Sequence, residues 1–167
     1  ACPSLTILSD VLASALAPRR APGGVSTFFV IDTNVVVAGL LTSHGESPVA
    51  RILDGMLRAA FPFVLSDVLL HEYRAVLLRP KLSKLHGLNE ADIDTLLTDI
   101  AQHAIVLIPP PAPTGLTAPD PGDQFLWDLL ATRSDLVLVT GDKFLLQDMA
   151  MRSRVMAPQE FTAALEH

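Results

Sequence analysis

A chain of 167 residues has room for one domain with a single sizeable core. Half of it is hydrophobic, yet no apolar run reaches the roughly 18–20 residues that a membrane span needs, and the one cysteine, Cys2, excludes an internal disulfide framework and any Cys-based zinc site. The balance of 12 basic and 18 acidic residues, a net charge of −6, argues against a protein that grips nucleic acid through a broad basic face, although net charge alone does not set the local field at a site that binds metal ions.

In chain order, residues 5–16 come first as an amphipathic helix with Leu5, Leu8, Val11, Leu12 and Leu16 on one face. A flexible linker follows from Ala17 to Ser26, and residues 1–26 stand apart from the rest. The opening segment carries no Lys or Arg ahead of its apolar part and is interrupted by Asp10, unlike a signal peptide, so a cytoplasmic setting and no membrane partner are expected. The helix's apolar face has no place in the core of the remaining chain and predicts a homodimer contact.

From residue 27 strands and helices alternate. Thr27–Ile31 is a first apolar strand; Pro48–Arg58 has helical spacing; Phe63–Leu65 is a second strand leading into a helix from Asp67 to Leu78, which Pro80 stops. After a basic connector from Lys81 to Gly87, Asn89 caps a helix to about His103, and Ile105–Ile108 is a third strand. Pro109, Pro110, Pro111, Pro113 and Pro119 mark a loop. A helix from Pro121 to Arg133, a strand Leu136–Thr140, a helix from about Lys143 to Met151, a short strand near Arg154–Met156 and a helix after Pro158 complete the series. Such alternation gives a parallel sheet with helices on both faces over residues 27–164. Residues 165–167 read as a possible tag remnant.

Two strands end in acid. Phe28-Phe29-Val30-Ile31 runs into Asp32, and Leu136-Val137-Leu138-Val139 into Thr140-Gly141-Asp142. Ligands bind at the carboxyl edge of an open α/β sheet, so carboxylates far apart in sequence can converge there, and converging carboxylates favour a hard divalent cation. Plainer roles exist for each residue. Asp32 suits a turn, Asp142 a helix cap, and Asp120-Pro121-Gly122-Asp123 an ordinary helix start. Glu72 rides in the apolar stripe of its helix, between Leu69 and Val76; a buried carboxylate needs a partner, and Arg74, two positions on, belongs to another face.

Taken together, Asp32-Thr33-Asn34, Glu72, Asp120 with Asp123, and Thr140-Gly141-Asp142 resemble the PIN-domain family of metal-dependent ribonucleases, over about residues 27 to 161. The resemblance is closest to the bacterial branch of toxin components of toxin–antitoxin pairs, with echoes in Leu65-Ser66, Leu78-Arg79-Pro80-Lys81 and Asp120-Pro121. It implies a three-layer α/β/α fold with a central parallel sheet, here carrying an N-terminal helical extension, and a catalytic quartet of Asp32, Glu72, Asp123 and Asp142. Asn34 and Thr140 would support the quartet, and Asp120 would join or replace Asp123 as a metal ligand. The implied cofactor is Mg2+ or Mn2+, the substrate single-stranded RNA, and the partner an antitoxin protein. The branch often carries a further acid just after the matched Asp, where this chain has Gln124. Three rival readings stand beside it: a degenerate PIN module that binds RNA or a protein partner without cleaving, whose marker would be loss of quartet members that are all present here; a structure-specific DNA nuclease, for whose extra helical elements 167 residues leave little room; and an aspartyl phosphatase, which would want a second Asp at position 34, where Asn34 stands.

Cations gather just after Glu72: Arg74, Arg79, Lys81, Lys84 and His86, with no acid among them. Cations at a helix end are favourable in themselves. Beside an acidic quartet the same segment, Arg74, Arg79, Lys81 and Lys84 above all, is placed to contact RNA phosphates without reading bases.

Overall fold

The computed structural model describes residues 27–109, 115 and 117–166. The expected helix 5–16 with its dimer face, the linker up to residue 26, much of the proline loop and His167 lie outside these residues.

Short apolar runs, rich in Val, Ile and Leu, form the centre. Strand β1 (Phe28–Ile31) pairs in parallel with β4 (Leu136–Val139), and β4 with β5 (Val155–Met156), while β2 (Val64–Leu65) pairs with β3 (Ile105–Val106). A parallel bridge between Phe29 and Phe63 links the two ladders, giving the order β3-β2-β1-β4-β5. Val30, Ile31, Leu138 and Val139 are wholly buried, as strands covered on both faces require. From β1 the chain moves to β2 on one side, and from β4 to β5 on the other. The crevice where the directions diverge, beyond the carboxyl ends of β1 and β4, is the topological switch point.

The helices are α1 (Thr33–Leu41), α2 (Pro48–Arg58), α3 (Asp67–Leu77), α4 (Pro80–His86), α5 (Glu90–His103), α6 (Gln124–Ala131), α7 (Lys143–Leu146) and α8 (Pro158–Leu165). Helices α1, α2, α3 and α5 pack on one another and α8 joins them at α2, whereas α6 packs on β4 and α7 on β5. Right-handed crossovers in opposite directions along the sheet place these groups on opposite faces, which makes a three-layer α/β/α fold. Behind β1 an aromatic cluster of Phe29, Phe61, Phe63 and Phe161 seats α8, with the Phe29 and Phe161 rings 4.6 Å apart.

Several elements differ from the sequence pattern. Helix α1 is not announced, because Thr33-Asn34-Val35-Val36-Val37 starts it with β-branched residues of modest helix propensity. It forms because the Asp32 side chain caps it and Val35 and Val36 are buried. Its Gly39 lets α2 come close: a Cβ there would lie 2.6 Å from the Val49 carbonyl oxygen. The expected connector from Lys81 to Gly87 is instead helix α4. Pro80, which ends one helix, occupies the first turn of the next, and Gly87 closes it at φ 70°. The helix expected from Pro121 opens with a 3-10 turn, Pro121–Asp123. Helix α7 has four residues and stops well short of Met151. Strand β3 is confined to Ile105–Val106.

Candidate functional site

Ile31 stands opposite Val139 in the ladder, so the residues after them emerge side by side at the switch point. Asp32 still belongs to that ladder through its N–H, which donates to the Val139 carbonyl at 3.0 Å. Its carboxylate is buried and bridged to the β4 end. Thr140 Oγ1 donates to Asp32 Oδ2 at 2.7 Å and accepts the Asp142 N–H at 3.0 Å. Asn34 closes the clamp: its Nδ2 donates to Asp32 Oδ2 at 3.2 Å and to Thr140 Oγ1 at 3.4 Å, and its Oδ1 accepts the Gly141 N–H at 3.3 Å. The supporting roles expected of Asn34 and Thr140 thus have a physical form, a hydrogen-bonded brace between two strand ends.

The plain cap roles hold at the same positions. Asp32 Oδ1 accepts the Thr33 N–H at 2.8 Å, Asp142 Oδ1 accepts the Phe144 N–H at 2.9 Å, and Asp120 Oδ1 accepts the Gly122 N–H at 2.8 Å. A cap uses only part of a carboxylate's capacity, which is two oxygens and about four lone pairs.

Glu72 comes from α3, and the partner its half-buried position demands is the Thr33 hydroxyl, which donates to Oε2. The next residue, Tyr73, is completely buried and its hydroxyl donates to the Ile31 carbonyl, tying α3 to the end of β1. Thr33 and Tyr73 are the functional neighbours that sequence reasoning missed. The available signal was a lone tyrosine inside an apolar helix face, whose hydroxyl must find an acceptor.

Asp123, at the end of the 3-10 turn, brings a fourth carboxylate. Among the described residues no hydrogen-bond donor reaches it and none of Asp32, Glu72, Asp123 and Asp142 forms an ion pair. The group is nonetheless electrostatically one. Burial raises the Asp32 pKa to about 6, with the Thr140 and Thr33 hydrogen bonds opposing and the Asp123 and Glu72 charges adding to it. Burial also raises Asp123, followed by the charges of Asp142, Asp120 and Glu72. As placed, no three His, Cys, Asp or Glu side chains among the described residues surround a single ion point. The donor chemistry still fits a hard divalent cation: oxygen ligands only, one carboxylate buried, another half-buried without a donor, and none of them in an ion pair among the described residues. Gln124, where a further acid was in question, instead accepts the Ala118 N–H at 2.9 Å and donates to Asp128 at 3.0 Å.

The basic segment divides. Arg74 turns to α5, where Nε meets Asp94 Oδ1 at 2.8 Å and Nη2 meets Glu90, so its charge is already engaged there. His86 is structural: Nδ1 accepts the Leu88 N–H at 2.9 Å, which leaves the proton on Nε2 to donate to the Leu77 carbonyl at 2.8 Å. Arg79, Lys81 and Lys84 are exposed on and before α4, which packs against α1 and α3.

Among the described residues no helix is long and apolar enough to cross a membrane. A sequence model of a family described as PIN domain matches residues 29–144, more than half of the chain and every carboxylate of the cluster. No curated protein and no solved structure matches.

Proposed function

Since the chain belongs to the PIN-domain family, a nuclease-type fold that is usually metal-dependent, we propose that it is an endoribonuclease hydrolysing phosphodiester bonds of single-stranded RNA. The observation that carries this reading is that Asp32 and Asp142 follow adjacent parallel strand ends, that the charges of Glu72 and Asp123 act on Asp32 and that of Asp142 on Asp123, and that among the described residues none of the four is in an ion pair. Asp32 and Asp142 would hold the principal Mg2+ or Mn2+, Glu72 would bind it or orient water, and Asp123, with Asp120 beside it, would hold a second ion. The bound cation supplies activation of water and neutralisation of charge on the phosphate oxygens.

The protein's own part is orientation. The Thr140–Asn34 brace fixes the Asp32 carboxylate and, through the Asp142 N–H, the loop that presents Asp142. Thr33 fixes one Glu72 oxygen and leaves the other for a water proton. Locking these groups in place before substrate arrives removes reorganisation from the reaction itself. Arg79, Lys81 and Lys84, on the segment leaving the helix of Glu72, would contact flanking phosphates. A toxin role with an antitoxin partner, a homodimer through residues 5–16 and a cytoplasmic location complete the proposal.

The test is cleavage of labelled single-stranded RNA and of the matching DNA by purified protein, with Mn2+ and with chelator. RNA cleavage that needs the metal and disappears in Asp142→Asn supports the reading. Preference for DNA would transfer the site to another substrate, and cleavage that survives both chelator and substitution would reject it.

A further inference from the structure

Eight of the chain's nine aromatic side chains are buried or half-buried; Phe144 alone is exposed, at 76%. Hydrophobic residues on a surface are ordinary when scattered, but this one stands at the edge of the acidic cluster. Its N–H donates to Asp142 Oδ1 at 2.9 Å, so its backbone is fixed by the carboxylate itself. Two residues span at most about 7 Å of chain, which is the scale of one nucleotide.

The exposure is not slack in a poorly packed turn. Leu145, the next residue, is 1% exposed and anchors α7, which packs on β5. With Leu145 facing in, Phe144 is held facing out. Beside it Lys143 is exposed and forms no ion pair among the described residues. A flat apolar ring next to a free cation, both adjoining a carboxylate expected to meet a phosphodiester, matches a nucleotide: the ring for a base, the cation for a phosphate. A hydrophobic protein partner would have to bury Lys143 and Asp142 along with the ring, at the desolvation cost of both charges.

We propose that Phe144 is a base-stacking platform on which an unpaired nucleobase next to the scissile phosphate of a single strand is held. The inference rests on the nuclease reading above and names how the substrate is gripped. Stacking accepts any base, so the platform favours single strands without selecting a sequence, and a duplex, whose bases are already stacked, cannot use it.

The test measures binding of a labelled single-stranded oligoribonucleotide, and of the same length of abasic strand, with Ca2+ present in place of Mg2+. Wild type should prefer the strand with bases, and Phe144→Ala should lose roughly 5- to 100-fold on that strand with little change on the abasic one. Phe144→Tyr should restore the preference. Phe144→Leu, apolar but without a ring face, should not. Equal binding of both strands by wild type, unchanged binding by Phe144→Ala, or full rescue by leucine would each overturn the platform, as would loss of a self-associated or partner-bound form with RNA affinity intact. Mn2+-dependent cleavage by wild type of the abasic strand, which offers no base to stack, separates the two claims. Its presence upholds the nuclease reading whatever the stacking result, and its absence, with the preference for the strand with bases intact, counts against that reading alone.

Discussion

Replacing Asp32 by asparagine should make the metal-free protein more stable at neutral pH. The Asp32 carboxyl has its pKa raised from 3.8 to about 6, chiefly by burial and then by the Asp123 and Glu72 charges. A raised acid pKa means that the folded state binds the proton more tightly than the unfolded chain does. Stability from this group is therefore greatest below about pH 4, falls as pH rises towards 6, and stays low above it. The interval corresponds to about 3 kcal/mol lost by the wild type at pH 7.5, at roughly 1.4 kcal/mol per pH unit. Asparagine removes that loss at a cost. Its Nδ2 would face Asn34 Nδ2, another donor, and the Thr140 hydroxyl, which now donates to Oδ2. A misplaced buried donor costs on the order of 1–2 kcal/mol, so the net gain is about 1–2 kcal/mol, or a Tm rise of roughly 2–8 °C for a domain of this size. Thermal unfolding in chelator at pH 7.5 and pH 4 gives the answer. The variant should lead at pH 7.5 and lose that lead at pH 4. A variant less stable by the same amount at both would refute the electrostatic account of the site.

Other outcomes follow from the same contacts. Tyr73→Phe keeps the ring but orphans the buried Ile31 carbonyl, so it should cost about 1–3 kcal/mol in chemical denaturation and lower RNA cleavage by loosening α3 and Glu72 from β1. Gly39→Ala gains about 1 kcal/mol of helix propensity, but its methyl would meet the Val49 carbonyl oxygen at 2.6 Å. The midpoint of urea unfolding should therefore fall; a rise would show that α1 and α2 can separate freely. Changing Arg79, Lys81 and Lys84 together to alanine should weaken RNA binding across sequences and flatten the log–log salt slope by up to about 2, with Mn2+ affinity unchanged. Mn2+ affinity should itself fall with pH through about 6, where Asp32 takes up its proton, as a titration series from pH 5 to pH 8 would record. Deleting residues 1–25 and weighing the protein by light scattering tests the expected dimer contact, and an unchanged mass would remove it.

The parts legible in the sequence were those with local causes. Strands β1 and β4 appear because Phe28–Ile31 and Leu136–Val139 are uncharged, apolar and bounded by polar turns. The acids that follow are placed by topology alone once the sheet is parallel. The Asn89 cap was legible because its partner, Asp92, lies three residues on. What sequence did not show depends on contacts across the fold. Helix α1 owes its existence to burial of Val35 and Val36, against the propensity of its own residues. Arg74 has its counter-charges on α5, 16 and 20 residues away, so a segment free of acids in sequence is not free of them in space. Glu72 finds its partner in Thr33, 39 residues earlier, and periodicity could say only that some partner was needed.

Binding of Mn2+ to the protein without RNA, followed by the loss of the free-ion signal in electron paramagnetic resonance, tests the central claim most directly. Asp32, Glu72, Asp123 and Asp142, taken as one ligand set, predict saturable binding by wild type near pH 7.5. They also predict binding at least tenfold weaker in Asp142→Asn, whose one side-chain hydrogen bond among the described residues, from the Phe144 N–H, the amide oxygen can still accept. Equal Mn2+ affinity in wild type and Asp142→Asn, or no saturable binding at all, would contradict the account.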